Sequence, residues 1–132
     1  FSDRTHLETF SFLDSTPGTS QIFQSSMTDY HRSGDVEVKK AALIFSLDDF
    51  MALFKPAFPT HIKIDIDGGE LALLAGAVKT LAVSRVQHVL LEVEEKDGAV
   101  ETADAALTKA GFSLSASHRR DKHTVNRIYT RA

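Results

Sequence analysis

Acidic side chains follow two apolar runs of this sequence, and these acids are its clearest candidates for chemistry. Asp65 and Asp67 come at the end of residues 60–66, and Glu92 comes near the end of residues 86–94. Grouped carboxylates can orient hydroxyl groups, hold a cationic group, bind a divalent metal through oxygen, or act as a general base. The sequence therefore predicts a site built on carboxylates at the ends of two strands.

The strand predicted at residues 60–66 has to position two of these acids. Its three isoleucines alternate onto one face, whereas Lys63 and Asp65 share the other face. We expect an interior strand of a parallel sheet, in which both faces are covered. A charged pair in that position needs partners or a function, and Lys63 could be the structural ion-pair partner of Asp65.

A structural role competes with a chemical role for the remaining acids. Asp67 and Glu70 have the spacing of a capping box, in which side chains satisfy backbone N–H groups at the start of a helix. Glu94 is expected on a solvated loop. Asp65 and Glu92 have no such explanation, because their strands are predicted to be interior and acids are rarely buried without partners.

Strands alternate with helices along the chain, as the hydrophobic period of each segment indicates. Residues 60–94 form a strand, a helix and a second strand, so these two strands should be parallel. The expected fold is α/β, with a mostly parallel sheet finished by an antiparallel hairpin at the C-terminal end. The predicted strands cover residues 6–13, 36–45, 60–66, 86–94, 112–117 and 124–130. The predicted helices run from Ser46 to the residue before Pro56, from 68 to 82 and from 100 to 110. A turn at 16–20 and a long loop at 21–35 separate the first two strands.

The composition excludes several classes of protein. The 132 residues fit a single domain, and 15 basic against 18 acidic residues leave no basic field for nucleic acid. The absence of cysteine excludes a disulfide framework and a thiolate metal site, and it favours a reducing, cytoplasmic compartment. No apolar run approaches the roughly 20 residues that cross a bilayer, so no membrane partner is expected. The six histidines lack the spacing of metal ligands, and we expect no metal site.

A basic segment lies at the predicted tip of the final hairpin. It contains Arg119, Arg120 and Lys122, with Arg127 and Arg131 nearby in the sequence. Such a patch could bind a phosphate or an acidic partner. A solvated turn is the simpler interpretation of these charges.

Four segments resemble the signature of the FkbM family of S-adenosylmethionine-dependent methyltransferases. The family pattern is T-L-D-D-F, then K-I-D-V-E-G-A-E, then L-x-G-A, then a strand that ends in an acid. The corresponding segments here are S-L-D-D-F at residues 46–50, K-I-D-I-D-G-G-E at 63–70, L-A-G-A at 74–77 and L-L-E-V at 90–93. Asp67 replaces the family glutamate, and Gly69 replaces its usual alanine.

The resemblance implies a Rossmann-like methyltransferase sheet, S-adenosylmethionine as the cofactor, and methyl transfer to a hydroxyl of a small molecule or sugar. Asp65 would lie nearest the reacting centre as the base, and Asp67 and Glu92 would shape the acceptor or cofactor pocket. The N-terminal strands and Gly-rich loop with which the family holds the cofactor are not found in this sequence. We therefore expect residues 1–132 to be one partial domain, the C-terminal portion of the family's domain, with the cofactor-binding residues outside it.

Two other functions remain open at this point. Residues 65–68, D-I-D-G, also resemble the D-x-D-G-T nucleophile loop of haloacid-dehalogenase-like, magnesium-dependent phosphatases, with Gly69 in place of the threonine. Alternatively, the chain is a non-catalytic, truncated domain that associates with itself across a bare sheet edge, which would make it a homo-oligomer.

Overall fold

The computed structural model describes residues 1–13, 37–66 and 68–131. The turn predicted at residues 16–20, the loop predicted at residues 21–35, and Asp67 lie outside the described residues. None of the four described helices is long and apolar enough to cross a membrane. The described elements are, in chain order, β1 (His6–Leu13), β2 (Glu37–Ile44), α1 (Leu47–Phe54), β3 (His61–Ile64), α2 (Glu70–Ala75), α3 (Val78–Ala82), β4 (His88–Glu94), α4 (Ala99–Lys109), β5 (Phe112–Arg119) and β6 (Thr124–Arg131).

The strands form two sheets. β1 and β2 pair antiparallel as a two-stranded sheet, and the larger sheet has the strand order β3–β4–β6–β5. In the larger sheet β3 and β4 are parallel, as predicted, whereas β6 is antiparallel to both β4 and β5. The prediction of a mostly parallel sheet is therefore wrong for the described residues. The reason is that the final hairpin folds back into the sheet and inserts β6 between β4 and β5.

The two strands that carry the predicted site differ in position. β3 ends at Ile64 rather than Ile66, and within the described part of the chain it lies at an edge of the sheet. This position corrects the expectation that β3 is interior. β4 is interior, as predicted, with β3 on one side and β6 on the other. The acids that follow or end these strands therefore have different surroundings.

One face of the four-stranded sheet carries the core. α2 and α4 pack against β4, and α4 also packs against β5. Side chains alternate along a strand, so β4 directs Val89, Leu91 and Val93 into the core and its other side chains to the opposite face. The largest completely buried side chains among the described residues are Tyr129, Phe112, Ile64, Leu91 and Leu107.

α1 begins and ends where the sequence predicts. The Ser46 hydroxyl accepts a hydrogen bond from the Asp49 N–H at 3.1 Å, which is the usual geometry of an N-cap. Lys55 ends the helix in the left-handed conformation, with φ of 46°. Pro56 follows and cannot continue a helix, because it has no N–H to donate.

The segment predicted as one helix at residues 68–82 forms two helices, α2 and α3, with a break at Gly76 and Ala77. The start of α1 causes this break, since the Asp48 N–H donates to the Gly76 carbonyl at 2.9 Å. The N-terminal segment also passes close by, because a Cβ at Gly76 would lie 2.1 Å from the Ser2 carbonyl oxygen. Only a residue without a side chain fits at this crossing.

Candidate functional site

The parallel pairing of β3 and β4 brings two predicted site residues together. Ile64 pairs with Leu91, so Asp65 and Glu92 are the next residues at the carboxyl ends of neighbouring strands. Ile64 and Leu91 are buried in the core, and the alternation of side chains directs Asp65 and Glu92 away from it. Ligands of open α/β sheets bind outside this edge, which makes it the candidate site.

Asp65 is an accessible carboxylate. Its Oδ2 lies 2.7 Å from Lys63 Nζ, and its side chain is 33% exposed. The predicted ion pair with Lys63 is confirmed, but it lies on the surface of an edge strand rather than in the interior. An exposed ion pair contributes only about 0–1 kcal/mol to stability. A ligand could therefore displace Lys63 with little loss of stability.

Glu92 is the more buried of the two acids. Its side chain is 12% exposed and forms an ion pair with Arg120, at the tip of the β5–β6 hairpin, whose own side chain is 55% exposed. The sequence indicated a solvated turn at Arg120, or a basic patch that binds phosphate or an acidic partner, but it did not indicate Glu92 as a partner. No spacing rule connects two residues that are 28 positions apart in the chain, so the pairing could not be predicted.

A second ion pair and a tight turn hold the hairpin tip against the end of β4. Arg119 donates to both carboxylate oxygens of Glu95, at 2.6 and 3.0 Å. Asp121 accepts hydrogen bonds from the backbone N–H groups of His123 and Thr124 at 2.8 and 2.9 Å. The hydrogen bond from His123 is the main cause of a lowered pKa of Asp121. The tip is thus an ordered structure in which arginines meet acids, not a free basic patch.

Glu70 organises the loop between β3 and α2. Its buried carboxylate accepts hydrogen bonds from the Gly68 N–H at 3.0 and 3.1 Å and from the Ile66 N–H at 3.3 Å. Gly68 has φ of 99°, a conformation that glycine adopts without a steric penalty. The N-cap of α2 is Gly69, whereas the capping-box spacing predicted this role for Asp67. The part of that prediction that is confirmed is the role of Glu70 as a backbone acceptor.

Arg127 and Arg131 lie away from the hairpin tip, which corrects the predicted basic patch. Arg127 donates to the two carboxylate oxygens of Asp104 at 2.9 and 2.7 Å and to the Tyr129 hydroxyl at 3.0 Å. Burial, together with a hydrogen bond to Asp104, raises the pKa of Tyr129 to about 12. The guanidinium of Arg131 donates to four backbone carbonyls at the ends of helices and strands, those of Leu81, Val83, Val86 and Ala110.

Two of the segments that carry the family resemblance contact each other, in what we term the α1–α3 interlock, formed by Asp48, Gly76 and Thr80. The Asp48 carboxylate accepts hydrogen bonds from the Lys79 N–H at 2.9 Å and from the Thr80 N–H and hydroxyl, each at 2.7 Å. It supplies the N-cap that α3 lacks, since the N-cap residue is Ala77. Thr80 is only 4% exposed, so water cannot replace this acceptor.

An apolar groove of about 330 Å³ lies between α4 and the pair α2 and α3. It is on the helix side of the sheet, and no acid lines it, so it is separate from the candidate site. Within residues 1–13, 37–66 and 68–131, no three histidine, aspartate or glutamate side chains are grouped as ligands for a metal ion. The residues that line the groove are Leu71, Leu74, Ala75, Val78, Leu81, Ala82, Thr102, Ala106, Lys109 and Ala110.

Comparison with known families identifies the chain. The family model described as the Methyltransferase FkbM domain matches residues 3–114. The matched range includes Asp65, Glu92 and the α1–α3 interlock, and it ends before Arg120 at the hairpin tip. No curated protein matches the chain, and no solved structure matches it. Because the family model covers most of the sequence, this chain belongs to the FkbM methyltransferase domain family.

Proposed function

We propose that the chain takes part in S-adenosylmethionine-dependent methyl transfer to a hydroxyl group of a small molecule or sugar. The observation that supports the proposal is the parallel pairing of Ile64 with Leu91, the residues that directly precede Asp65 and Glu92 in the chain. Membership of the FkbM family supplies the methyltransferase chemistry. It gives no support to the magnesium-dependent phosphatase that the D-I-D-G segment also resembles.

Methyl transfer to a hydroxyl asks for orientation and proton acceptance more than for covalent chemistry. The acceptor oxygen loses its proton as it is methylated, and we assign that proton to the Asp65 carboxylate, which is accessible at the edge. Glu92 accepts a hydrogen bond from the acceptor hydroxyl and so orients it. Asp67 lies outside the described residues, and its role in shaping the pocket stays a prediction.

The carboxylates at this edge suit part of the cofactor. S-adenosylmethionine, when bound, supplies an electrophilic methyl group on a positively charged sulfur. The carboxylates of Asp65 and Glu92 match a positive charge and can accept hydrogen bonds from sugar hydroxyls. The Gly-rich loop of the family is not found in the sequence, so we assign the acceptor side of the pocket to this chain.

We infer that the mixed sheet is part of a Rossmann-like methyltransferase sheet and that residues 1–132 form one partial domain. We also propose a cytoplasmic location, because the sequence contains no cysteine.

Homo-oligomer formation through the β3 edge is a separate proposal. It is favoured by the position of β3 at an edge of the sheet within the described residues, because an unpaired strand edge is a template for pairing. Multi-angle light scattering tests it directly. A monomer at all accessible concentrations would contradict self-association.

Transfer of a labelled methyl group tests the main proposal. Because this chain is assigned the acceptor side of the pocket, it is incubated as part of a complete FkbM domain with methyl-labelled S-adenosylmethionine and a panel of sugars and small hydroxyl compounds, and we expect a methylated product. The rate should fall about 100-fold or more in Asp65→Asn, since a general base typically contributes that factor. Glu94→Gln, at an exposed acid of the neighbouring strand β4, is the matched control and should keep its activity.

Cofactor binding provides a second readout. A ligand at 100 times its dissociation constant stabilises the folded state by about 2.7 kcal/mol, which a melting curve detects. The proposal fails if S-adenosylmethionine neither stabilises that complete domain nor donates its methyl group. Magnesium-dependent release of phosphate from an aryl phosphate would then favour the phosphatase.

A further inference from the structure

The burial of Glu92 requires a partner. Its side chain is 12% exposed, and a buried carboxylate is costly unless it is paired. The Arg120 guanidinium donates to Oε1 of Glu92. No donor among the described residues binds Oε2, so this second oxygen is available to a hydroxyl of a ligand.

The hairpin tip fixes the position of Arg120. Its backbone N–H donates to the Thr124 carbonyl at 3.0 Å, which closes the turn. The preceding residue, Arg119, is held by Glu95 at 2.6 and 3.0 Å, and the Glu95 N–H donates to the His123 carbonyl at 2.7 Å. Arg120 therefore reaches Glu92 from a preorganised turn, which is what a supporting residue of a functional site requires.

The other charged groups around Glu92 are already paired or lie in solvent. Lys63 on β3 pairs with Asp65, which follows that strand, and Glu95 pairs with Arg119. The β6 residue opposite Glu92 is Asn126, which carries no charge, and the β5 residue that pairs with Asn126 is His118, whose side chain is exposed. Glu94, two residues along β4, is exposed. Among the described residues, Arg120 is thus the cation that compensates Glu92.

We propose that Arg120 is a positioning residue for the methyl transfer. It keeps Glu92 charged and in one orientation, with Oε2 left to accept the acceptor hydroxyl. The inference rests on the proposed function, because it assigns a task to Glu92. Arg120 lies beyond the range 3–114 of the family match, so this support is not part of the matched signature.

Three variants separate positioning from simple stabilisation. In Arg120→Gln the charged form of Glu92 loses its partner and becomes less favourable, so the acid limb of the pH–rate profile should move up by about one pH unit. Arg120→Lys keeps the positive charge and should restore most of the original profile. Lys122→Gln is the matched control at the same tip, since it removes an exposed positive charge and leaves the pair of Arg120 with Glu92 intact, and it should leave the acid limb in place.

NMR titration of the Glu92 carboxyl carbon gives a readout that needs no activity. Its midpoint should rise in Arg120→Gln by the same amount as the acid limb, and it should stay unchanged in Lys122→Gln. Circular dichroism establishes that each variant is folded.

Several outcomes overturn the proposal. An unmoved midpoint in Arg120→Gln, or an equal movement in Lys122→Gln, shows that Arg120 does not control Glu92. A shifted midpoint with an unmoved acid limb in an active enzyme shows that the charge of Glu92 is not used in the reaction, so Arg120 does not position it for methyl transfer. Absence of methyl transfer from the wild-type protein refutes the proposed function itself, and the positioning role with it.

Discussion

Asp48 and Asp65 both belong to segments that this chain shares with its family, but their carboxylates are bound in opposite ways. Asp48 accepts three hydrogen bonds, one from Lys79 and two from Thr80. Asp65 contacts one exposed lysine on its own strand. The acceptor capacity of Asp48 is used by the fold, whereas that of Asp65 is available to a ligand. A family signature therefore contains both acids that stabilise the fold and acids that can bind a ligand. The number of hydrogen bonds that each carboxylate already accepts within the protein distinguishes the two kinds.

Removal of the occupied acid should have the largest effect on stability. Asp48→Ala leaves the N–H and hydroxyl of buried Thr80 without an acceptor, and we expect a loss of about 3 kcal/mol in the free energy of unfolding. Urea unfolding measures this loss. Asp49→Ala is the matched control, because Asp49 is exposed and its carboxylate accepts a hydrogen bond from the Thr5 hydroxyl at 2.6 Å. Equal losses in the two variants would show that Asp48 is not the cap of α3.

The glycine of the interlock should be nearly as sensitive. In Gly76→Ala the new methyl group would meet the Ser2 carbonyl at 2.1 Å, and such overpacking costs about 2 kcal/mol. Gly69→Ala is the control, because its methyl group meets only the flexible end of the Ile66 side chain at 2.9 Å. That variant also restores the residue that the family usually has, and its stability should change by less than about 1 kcal/mol. Melting temperatures compare the two, and a milder effect at Gly76 would contradict the crossing described here.

The Tyr129 hydroxyl, like the Asp48 carboxylate, is hydrogen-bonded within the fold. Because burial raises the pKa of Tyr129 from 10.0 to about 12, the folded chain keeps the phenolic proton to a higher pH than the unfolded chain. Between about pH 10 and 12 the folded state binds more protons, so the free energy of unfolding falls as the pH rises. Below pH 10 both states are protonated, and this contribution is fully present.

Tyr129→Phe tests this expectation. At neutral pH the variant should lose about 1 kcal/mol, the usual contribution of a hydrogen bond, because Asp104 and Arg127 lose their hydroxyl partner. Above pH 10 the difference between the wild type and the variant should shrink. Urea unfolding at pH 8 and pH 11 measures both values, and a difference that is independent of pH would contradict the raised pKa.

The smallest effect on stability is expected at the available acid. Asp65→Asn removes one exposed ion pair, so the free energy of unfolding should change by less than about 1 kcal/mol. Lys63→Gln breaks the same ion pair by removing the lysine, and it should change the free energy of unfolding by a similar amount. A loss as large as that of Asp48→Ala would show that Asp65 is structural.

Local patterns were sufficient to predict most of the elements. The alternating isoleucines of β3 and the apolar run of β4 indicated a parallel pair, and this pairing alone brings Asp65 beside Glu92. Ser46 was identifiable as the N-cap of α1 because side-chain capping is a contact within one helical turn. These features depend on residues that are close in sequence.

The predictions from the sequence were wrong for features that depend on contacts between distant segments of the chain. The break between α2 and α3 depends on Asp48, which lies in a different helix, and no periodicity within the broken helix reveals it. The insertion of β6 beside β4 and the pairing of Arg120 with Glu92 both depend on how the final hairpin folds back. Such contacts follow from tertiary packing, which local propensity does not encode.

The rate of methyl transfer by folded Asp65→Asn tests the central claim most directly. Its melting temperature should stay within about 4 °C of that of the wild type, as a change below 1 kcal/mol implies, while its rate falls about 100-fold or more. A wild-type rate from a fully folded Asp65→Asn protein would contradict the assignment of chemistry to the carboxyl edge of β3 and β4.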